Sequence, residues 1–106
     1  ISERRSVADR PVYAYHMHME IEWDSEKAAS NLKKHGVSFE EAATSLLDPA
    51  ALAQEDAEAK GEPRWVLIGL SARARLLTVV YTLRRDDRIR LISARRATRK
   101  EVAYYA

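Results

Sequence analysis

The stretch RWVLIGLSARARLLTVVYTLRRDDRIRLISA, residues 64–94, contains three apolar segments separated by short polar connectors. The segments, at 64–70, 75–83 and 88–94, are rich in the aliphatic, β-branched and aromatic residues that favour strands. Because connections as short as SARA and RRDD join neighbouring antiparallel strands, the stretch predicts a three-stranded meander.

Two helices are predicted ahead of the meander. The first begins at a cap formed by Asp24 or Ser25 and ends near His35, with Gly36 at the position that favours positive φ. The second begins at Ser38, which we expect to form a reciprocal capping box with Glu41. Apolar residues then recur with helical spacing up to the stop at Asp48-Pro49. They are Phe39, Ala42, Ala43, Leu46 and Leu47.

The remaining elements complete an α+β fold. MEIEW at 19–23 predicts a short strand, residues 51–54 a brief one, and Thr98 caps a last helix that runs through Tyr105. The order β-α-α-β-β-β-β-α favours helices packed on one face of a twisted antiparallel sheet. Residues 1–18 show no clean period, and we interpret them as an extension that is disordered or derived from cloning, outside a single domain at 19–106.

Composition excludes several classes of function. The chain has 106 residues and no cysteine, which excludes disulfides, thiolate nucleophiles and cysteine-ligated zinc. Only three glycines occur, none in a phosphate-binding loop, and His16 and His18 lie in the extension, so no cofactor or metal site is expected. No apolar run is long enough for a membrane span, which favours a cytoplasmic protein.

Positive charge is concentrated at the C-terminal end. Residues 84–106 hold 8 Lys/Arg against 3 Asp/Glu, whereas residues 1–83 hold 10 against 13. Each arginine by itself is best explained by solvation or by pairing with Glu62, Asp86 or Asp87. Five arginines that converge on one face would repel each other, which favours an anionic ligand.

Three separated blocks carry a resemblance to a known family. WDSEKAASNLKKHGVSFEEAATSLLDP (23–49), GEPRWVLIG (61–69) and IRLISARRATRKEVAYY (89–105) are similar in order and spacing to the BrnT toxins of bacterial type II toxin–antitoxin systems. The resemblance covers about residues 19–105. It implies a RelE-like α+β fold, a ribonuclease that arrests translation, and a BrnA-type antitoxin with a ribbon-helix-helix DNA-binding part. The implied complex holds two copies of each protein and contacts operator DNA only through the antitoxin.

This reading leads to a prediction for the site. Metal-independent cleavage of RNA by its own 2′-OH requires proton transfer and stabilisation of charge on the phosphorane. We expect Arg64, Arg90 and Arg95 to clamp the scissile phosphate and Glu62 or His35 to transfer the proton. Three further residues are expected to bind the substrate, namely Arg84, Arg96 and Lys34.

The concentration of arginines is also compatible with two other functions. In one, the arginine face is a non-catalytic surface on which an acidic antitoxin docks. The other is a sequence-specific DNA-binding protein. This function is less well supported, because no recognition helix with base-reading side chains is evident.

Several side chains are expected to have structural or surface positions. Lys27 and Asn31 are expected on a solvated helix face, and Trp65 and Tyr81 in the core. The terminal tyrosines at 104 and 105 can either stack on bases or dock the last helix.

Overall fold

A computed structural model of the protein describes residues 20–85 and 87–105. Eight elements follow one another in the order expected from the sequence. They are β1 (Glu20–Glu22), α1 (Ser25–His35), α2 (Phe39–Ser45), β2 (Leu52–Asp56), β3 (Arg64–Leu70), β4 (Leu76–Arg84), β5 (Arg88–Arg96) and α3 (Arg99–Tyr105). The predicted extension at 1–18 and Met19 of the first strand lie outside the described residues.

The five strands form one mixed sheet in the order β1-β5-β4-β3-β2. β2 to β5 pair antiparallel in sequence order, so the predicted meander is confirmed and extended by the brief early strand. β1 adds parallel to β5, with Ile21 opposite Ile89. The sheet is therefore antiparallel except at this pair. Parallel pairing needs a long connection, which the chain between β1 and β5 supplies.

The helix boundaries follow local capping chemistry. The Asp24 side chain accepts from the Lys27 amide, and Gly36 ends α1 at a φ of 72°. The Ser38 hydroxyl accepts from the Glu41 amide, as predicted. The prediction that the Glu41 carboxylate accepts from the Ser38 amide is wrong, because this carboxylate accepts hydrogen bonds from Arg75 and Ser71 instead.

The main core lies between α1, α2 and one side of the sheet, which we call the core face. It combines Phe39 and Val37 with inward-facing strand residues such as Leu77, Val79 and Leu91, and Tyr81 is buried there too. Trp65 packs against this cluster, so the expected core positions of Trp65 and Tyr81 are confirmed. Leu47, at the end of the apolar series, is exposed because α2 already ends at Ser45.

The position of Asn31 differs from the one expected from the sequence. This residue does not lie on a solvated helix face but is 6% exposed. Its amide nitrogen donates to the carbonyls of Val37 and Ala94, and its amide oxygen accepts from the Ala94 amide. Since β1 pairs only with Arg88–Arg90, the edge of β5 is open at Ala94, and the Asn31 side chain takes the place of the missing strand.

The last helix lies on the opposite side of the sheet, which we call the distal face. Thr78 alternates with the core residues Leu77 and Val79, so its hydroxyl points to the distal face, where it donates to Glu101 of α3. The Tyr105 hydroxyl donates to Asp48, which also accepts from the Leu70 amide. The expectation that all helices share one face is therefore wrong for α3, and Tyr105 docks this helix.

Candidate phosphate-binding face

Polar side chains form a row across the distal face of the sheet, one from each strand. The register sets Glu22 of β1 beside Arg90 of β5, and Arg90 beside Thr82 of β4. Arg64 precedes Trp65, the partner of Tyr81, so it lies next to Thr82 on the other side, and Asp56 of β2 follows it. Arg64 and Arg90 thus flank one strand, about 10 Å apart between backbones.

A second row of side chains lies next to the first, two residues further along β4, where that strand ends. Arg88 and Arg84 face each other across β4 and β5, and Arg84 Nε lies 3.2 Å from a carboxylate oxygen of Glu62. A shallow cavity of about 380 Å³ opens here, with Glu22 and Glu62 in its wall. We call Arg64, Arg84, Arg88 and Arg90 the arginine cluster. Arg88 and Arg90 are two residues apart on β5 and therefore share one face. The pairing of the strands places Arg84 of β4 and Arg64 of β3 on the same face.

Glu22 is a carboxylate partner of two arginines of the cluster. The carboxylate of Glu22 accepts from Arg90 at 3.0 Å and from Arg88 at 3.3 Å. Partial burial by itself would raise the pKa of Glu22, but the hydrogen bonds and charges of Arg90 and Arg88 outweigh it and lower that pKa. Two of the four guanidinium groups are thereby held in place by a carboxylate from the neighbouring strand.

Arg64 differs from its neighbours. Its side chain is exposed, and it forms no hydrogen bond or ion pair with any residue that the structure describes. It is the fourth of the five side chains in the row, between Thr82 and Asp56, while Arg90 and Arg84 have carboxylate partners. The cluster therefore offers one uncommitted guanidinium on β3 beside the positioned ones of β4 and β5, an arrangement that can receive a phosphate oxygen.

Arg95 lies on the same face but is committed elsewhere. It pairs with Thr78, four residues along β4 from the partner of Arg90, or about 13 Å. Both of its terminal nitrogens donate to the Glu101 carboxylate, at 2.8 and 2.9 Å. The structure thus groups Arg64 and Arg90, whereas Arg95 joins β5 to α3.

The remaining predicted site residues lie apart from the cluster. His35 and Lys34 are exposed at the end of α1, beside Gly36, whose carbonyl accepts from Arg75 at 3.1 Å. Arg75 precedes β4 and Arg84 ends it, so Arg75, which lies beside the end of α1, is about 30 Å along the strand from Arg84. Arg96 is exposed at the same distant end, opposite Leu77. Of the two candidates for proton transfer, only Glu62 lies among the arginines.

Two residues of this face were not singled out from the sequence. Glu22 binds two arginines of the cluster, and Glu101 binds Arg95. The alternation of Glu20 and Glu22 around Ile21 put two carboxylates on one face of β1, but the parallel pairing with β5 has no local signal. Glu101, three residues after Thr98, completes a full capping box, a pattern that the sequence did contain.

Within the described ranges 20–85 and 87–105, no three histidine or acidic side chains come close enough together to hold a metal ion. None of the helices in these ranges has the length and apolar content to cross a membrane.

Comparison with known proteins identifies the family. Residues 23–101 match the model of the ribonuclease toxin BrnT of type II toxin–antitoxin systems. The fold is similar to the 1.1 Å crystal structure of the Brucella abortus ribonuclease toxin BrnT, with a TM-score of 0.56 and 23% sequence identity. That match covers 74% of this chain and 96% of the Brucella chain. No curated protein sequence matched.

The matched range 23–101 includes the capped helices, the meander and the arginine-bearing strands. It also agrees with the resemblance noted in the three sequence blocks. The chain belongs to the BrnT family of ribonuclease toxins of type II toxin–antitoxin systems.

Proposed function

We propose that this toxin cleaves RNA without a metal ion, at the arginine cluster on the distal face. The observation that carries the proposal is Arg64, an arginine whose side chain has no partner among the described residues and which faces the positioned Arg90 across one intervening strand, β4. A planar guanidinium binds two phosphate oxygens and stays charged at any physiological pH. The pair can therefore hold a phosphate from two sides.

The cleavage step uses the RNA as its own nucleophile. The 2′ oxygen forms a bond to phosphorus while the bond to the 5′ oxygen breaks, which leaves a 2′,3′-cyclic phosphate. Arg64 and Arg90 stabilise the charge that builds on the phosphate oxygens, and Arg84 binds a flanking phosphate. The 2′ proton passes to a base, and the 5′ oxygen takes one from water.

Glu62 is the candidate for the base. It is exposed, and its carboxylate lies 3.2 Å from Arg84, so it stands at the edge of the cluster. His35, the other candidate, lies with Lys34 near Arg75, which is about 23 Å along β4 from Thr82, the residue between Arg64 and Arg90. An exposed carboxylate is a weak base, and we therefore expect slow cleavage of free RNA.

Arg95 has a different part in this proposal. It cannot share a phosphate with Arg64 and Arg90 while Glu101 holds both of its terminal nitrogens. We assign it first to the docking of α3. Arg96 is exposed at the same end, where it can contact a more distant part of the RNA.

The partner in this proposal is a BrnA-like antitoxin with a ribbon-helix-helix part. Membership of a type II family supports an antitoxin and an RNA target. A heterotetramer with two copies of each protein, in which only the antitoxin contacts operator DNA, completes the proposed assembly.

A second candidate function has one observation in its favour. Arg84 and Arg90 already bind carboxylates of their own chain, which is the chemistry by which an acidic antitoxin would dock. In that case the arginines need charge rather than bidentate geometry. Arg64→Lys would then retain function, whereas phosphate clamping would lose it.

The test is incubation of the purified toxin with total RNA in excess chelator, beside Arg64→Ala and Arg90→Ala. The matched control is Arg73→Ala, an exposed arginine at the opposite end of the sheet. We expect cleavage with 2′,3′-cyclic ends by the parent and by the control but not by the other two variants. Loss of cleavage on chelation, or full activity of Arg64→Ala, would refute the proposal.

A further inference from the structure

A groove runs along the edge of the sheet farthest from β1. It has a volume of about 820 Å³ and lies between β2, β3 and α3. Its apolar floor is formed by Leu52, Val66, Ile68 and Tyr104. Leu52 is 43% exposed and Tyr104 61%, so both apolar side chains are open to a ligand.

The backbone of β2 forms part of the groove wall. Seven consecutive residues, 52–58, line it, whereas β3 contributes only the alternate residues Val66 and Ile68. In a strand, consecutive residues point to opposite faces. A wall made of consecutive residues is therefore a strand edge, and β2 is the last strand of the sheet among the described residues.

The charge of this edge selects the partner. Glu55, Asp56 and Glu58 line the groove together with Glu101, whose charge is paired with Arg95, and the described part of its wall contains no lysine or arginine. Two copies of β2 that paired edge to edge would bring carboxylates together, which is unfavourable. The acidic rim likewise disfavours RNA. A protein strand with apolar and basic side chains fits both the floor and the rim.

We infer that the antitoxin docks here, through an extended segment with apolar and basic side chains that adds a sixth strand to the free edge of β2. This inference rests on the antitoxin partner in the proposed function. It assigns that partner to an acidic edge instead of to the arginine cluster. The groove includes Asp56, the cross-strand neighbour of Arg64, so the docked segment also lies beside the proposed catalytic face.

The test measures binding of the cognate antitoxin to the full-length toxin by calorimetry, with hydrogen exchange on the complex. Leu52→Asp places a charge on the floor, and its matched control is Leu32→Asp, a leucine of α1 with 50% exposure. Glu58→Lys reverses the rim, and exposed Glu26→Lys is its control. A thermal melt of each variant shows that it is folded.

We expect Leu52→Asp and Glu58→Lys to weaken antitoxin binding at least about tenfold, and their controls to leave it unchanged. Amides of residues 52–58 should gain protection from exchange in the complex. Unchanged binding by both groove variants, or no protection of β2, would overturn the inference. So would a toxin dimer that Leu52→Asp dissociates without effect on antitoxin binding, since the occupant is then a second copy.

Cleavage of RNA is measured on the same variants. Groove variants that cleave normally but escape neutralisation support the inference, while loss of cleavage with intact antitoxin binding would assign the groove to RNA and overturn it. A parent that binds antitoxin at β2 but does not cleave RNA would refute the proposed function and leave this inference standing.

Discussion

Arg95 and Glu101 form a two-bonded ion pair that joins the last strand to the last helix. The Glu101 carboxylate also accepts from the Thr78 hydroxyl and from the Thr98 amide. Four donors thus converge on one carboxylate. The guanidinium of Arg95, partly opposed by burial and assisted by the other donors, lowers the pKa of Glu101 from 4.5 to about 2.

The low pKa of Glu101 makes the docking of α3 sensitive to acid. A carboxyl group with a depressed pKa in the folded protein stabilises it above the unfolded value of 4.5, and this contribution disappears as pH falls toward 2. Allowing for solvent screening, we expect Glu101→Gln to cost on the order of 1–2 kcal/mol at pH 7. Urea unfolding at several pH values measures this. The variant should lose less stability than the parent between pH 4.5 and 2. Equal slopes, or an equal effect of exposed Glu40→Gln, would contradict the assignment.

Removal of the Asn31 amide should destabilise the fold more than its surface-like sequence context suggests. Asn31→Ala leaves the amide and carbonyl of Ala94 without their partner in a buried place. We expect a loss of about 2–3 kcal/mol in the free energy of unfolding, because stranded buried groups are costly. Chemical denaturation of the variant beside exposed Ser30→Ala, a neighbour on the same helix, is the measurement. A difference below the error between the two would show that water replaces the amide.

Gly69 is required by the close approach of α2 to β3. A methyl group added there would lie 2.6 Å from the Ser45 carbonyl oxygen, a backbone atom that cannot rotate away. We expect Gly69→Ala to destabilise the protein by about 2–3 kcal/mol. Gly36→Ala adds the same methyl in open space at a φ of 72°, and it should cost only about 1 kcal/mol through backbone strain. Thermal melts of the two variants compare these effects, and a smaller loss for Gly69→Ala would contradict the clash.

Arg64 should tolerate neither loss nor replacement by lysine if it clamps a phosphate. Arg64→Ala should lower kcat for RNA cleavage about 100-fold, the usual effect of removing one donor to a developing oxyanion. Arg64→Lys should recover little, because an ammonium cannot make two parallel hydrogen bonds. Single-turnover cleavage of a defined RNA measures both, and Arg73→Lys serves as the control. Full rescue by lysine would favour the docking function over the catalytic one.

Much of the fold follows from local signals. The short connectors at 71–74 and 84–87 leave neighbouring strands few choices other than antiparallel pairing, and the capping residues at Asp24, Ser38 and Thr98 set the starts of three helices. These features depend on residues within a few positions of each other. The blocks that carry the family resemblance contain these three capping residues.

The site was predicted less completely. The arginines on one face of β5 follow from alternation, but their partners depend on which strand lies alongside. Glu22 is 68 residues from Arg90 in sequence and reaches it only because β1 adds parallel to β5. The separation of His35 from the cluster likewise depends on the side of the sheet that α1 covers and on the direction in which it runs.

By itself, the sequence of this protein determined the elements, their order and the concentration of arginine in the last strands, because propensity, capping and two-residue alternation act over a few residues. Tertiary structure decided which carboxylate neutralises which arginine, and that α3 crosses to the distal face. It also buried Asn31 as a substitute strand at the edge of β5. These outcomes depend on contacts between distant segments, whose free energy becomes available only when the sheet has formed.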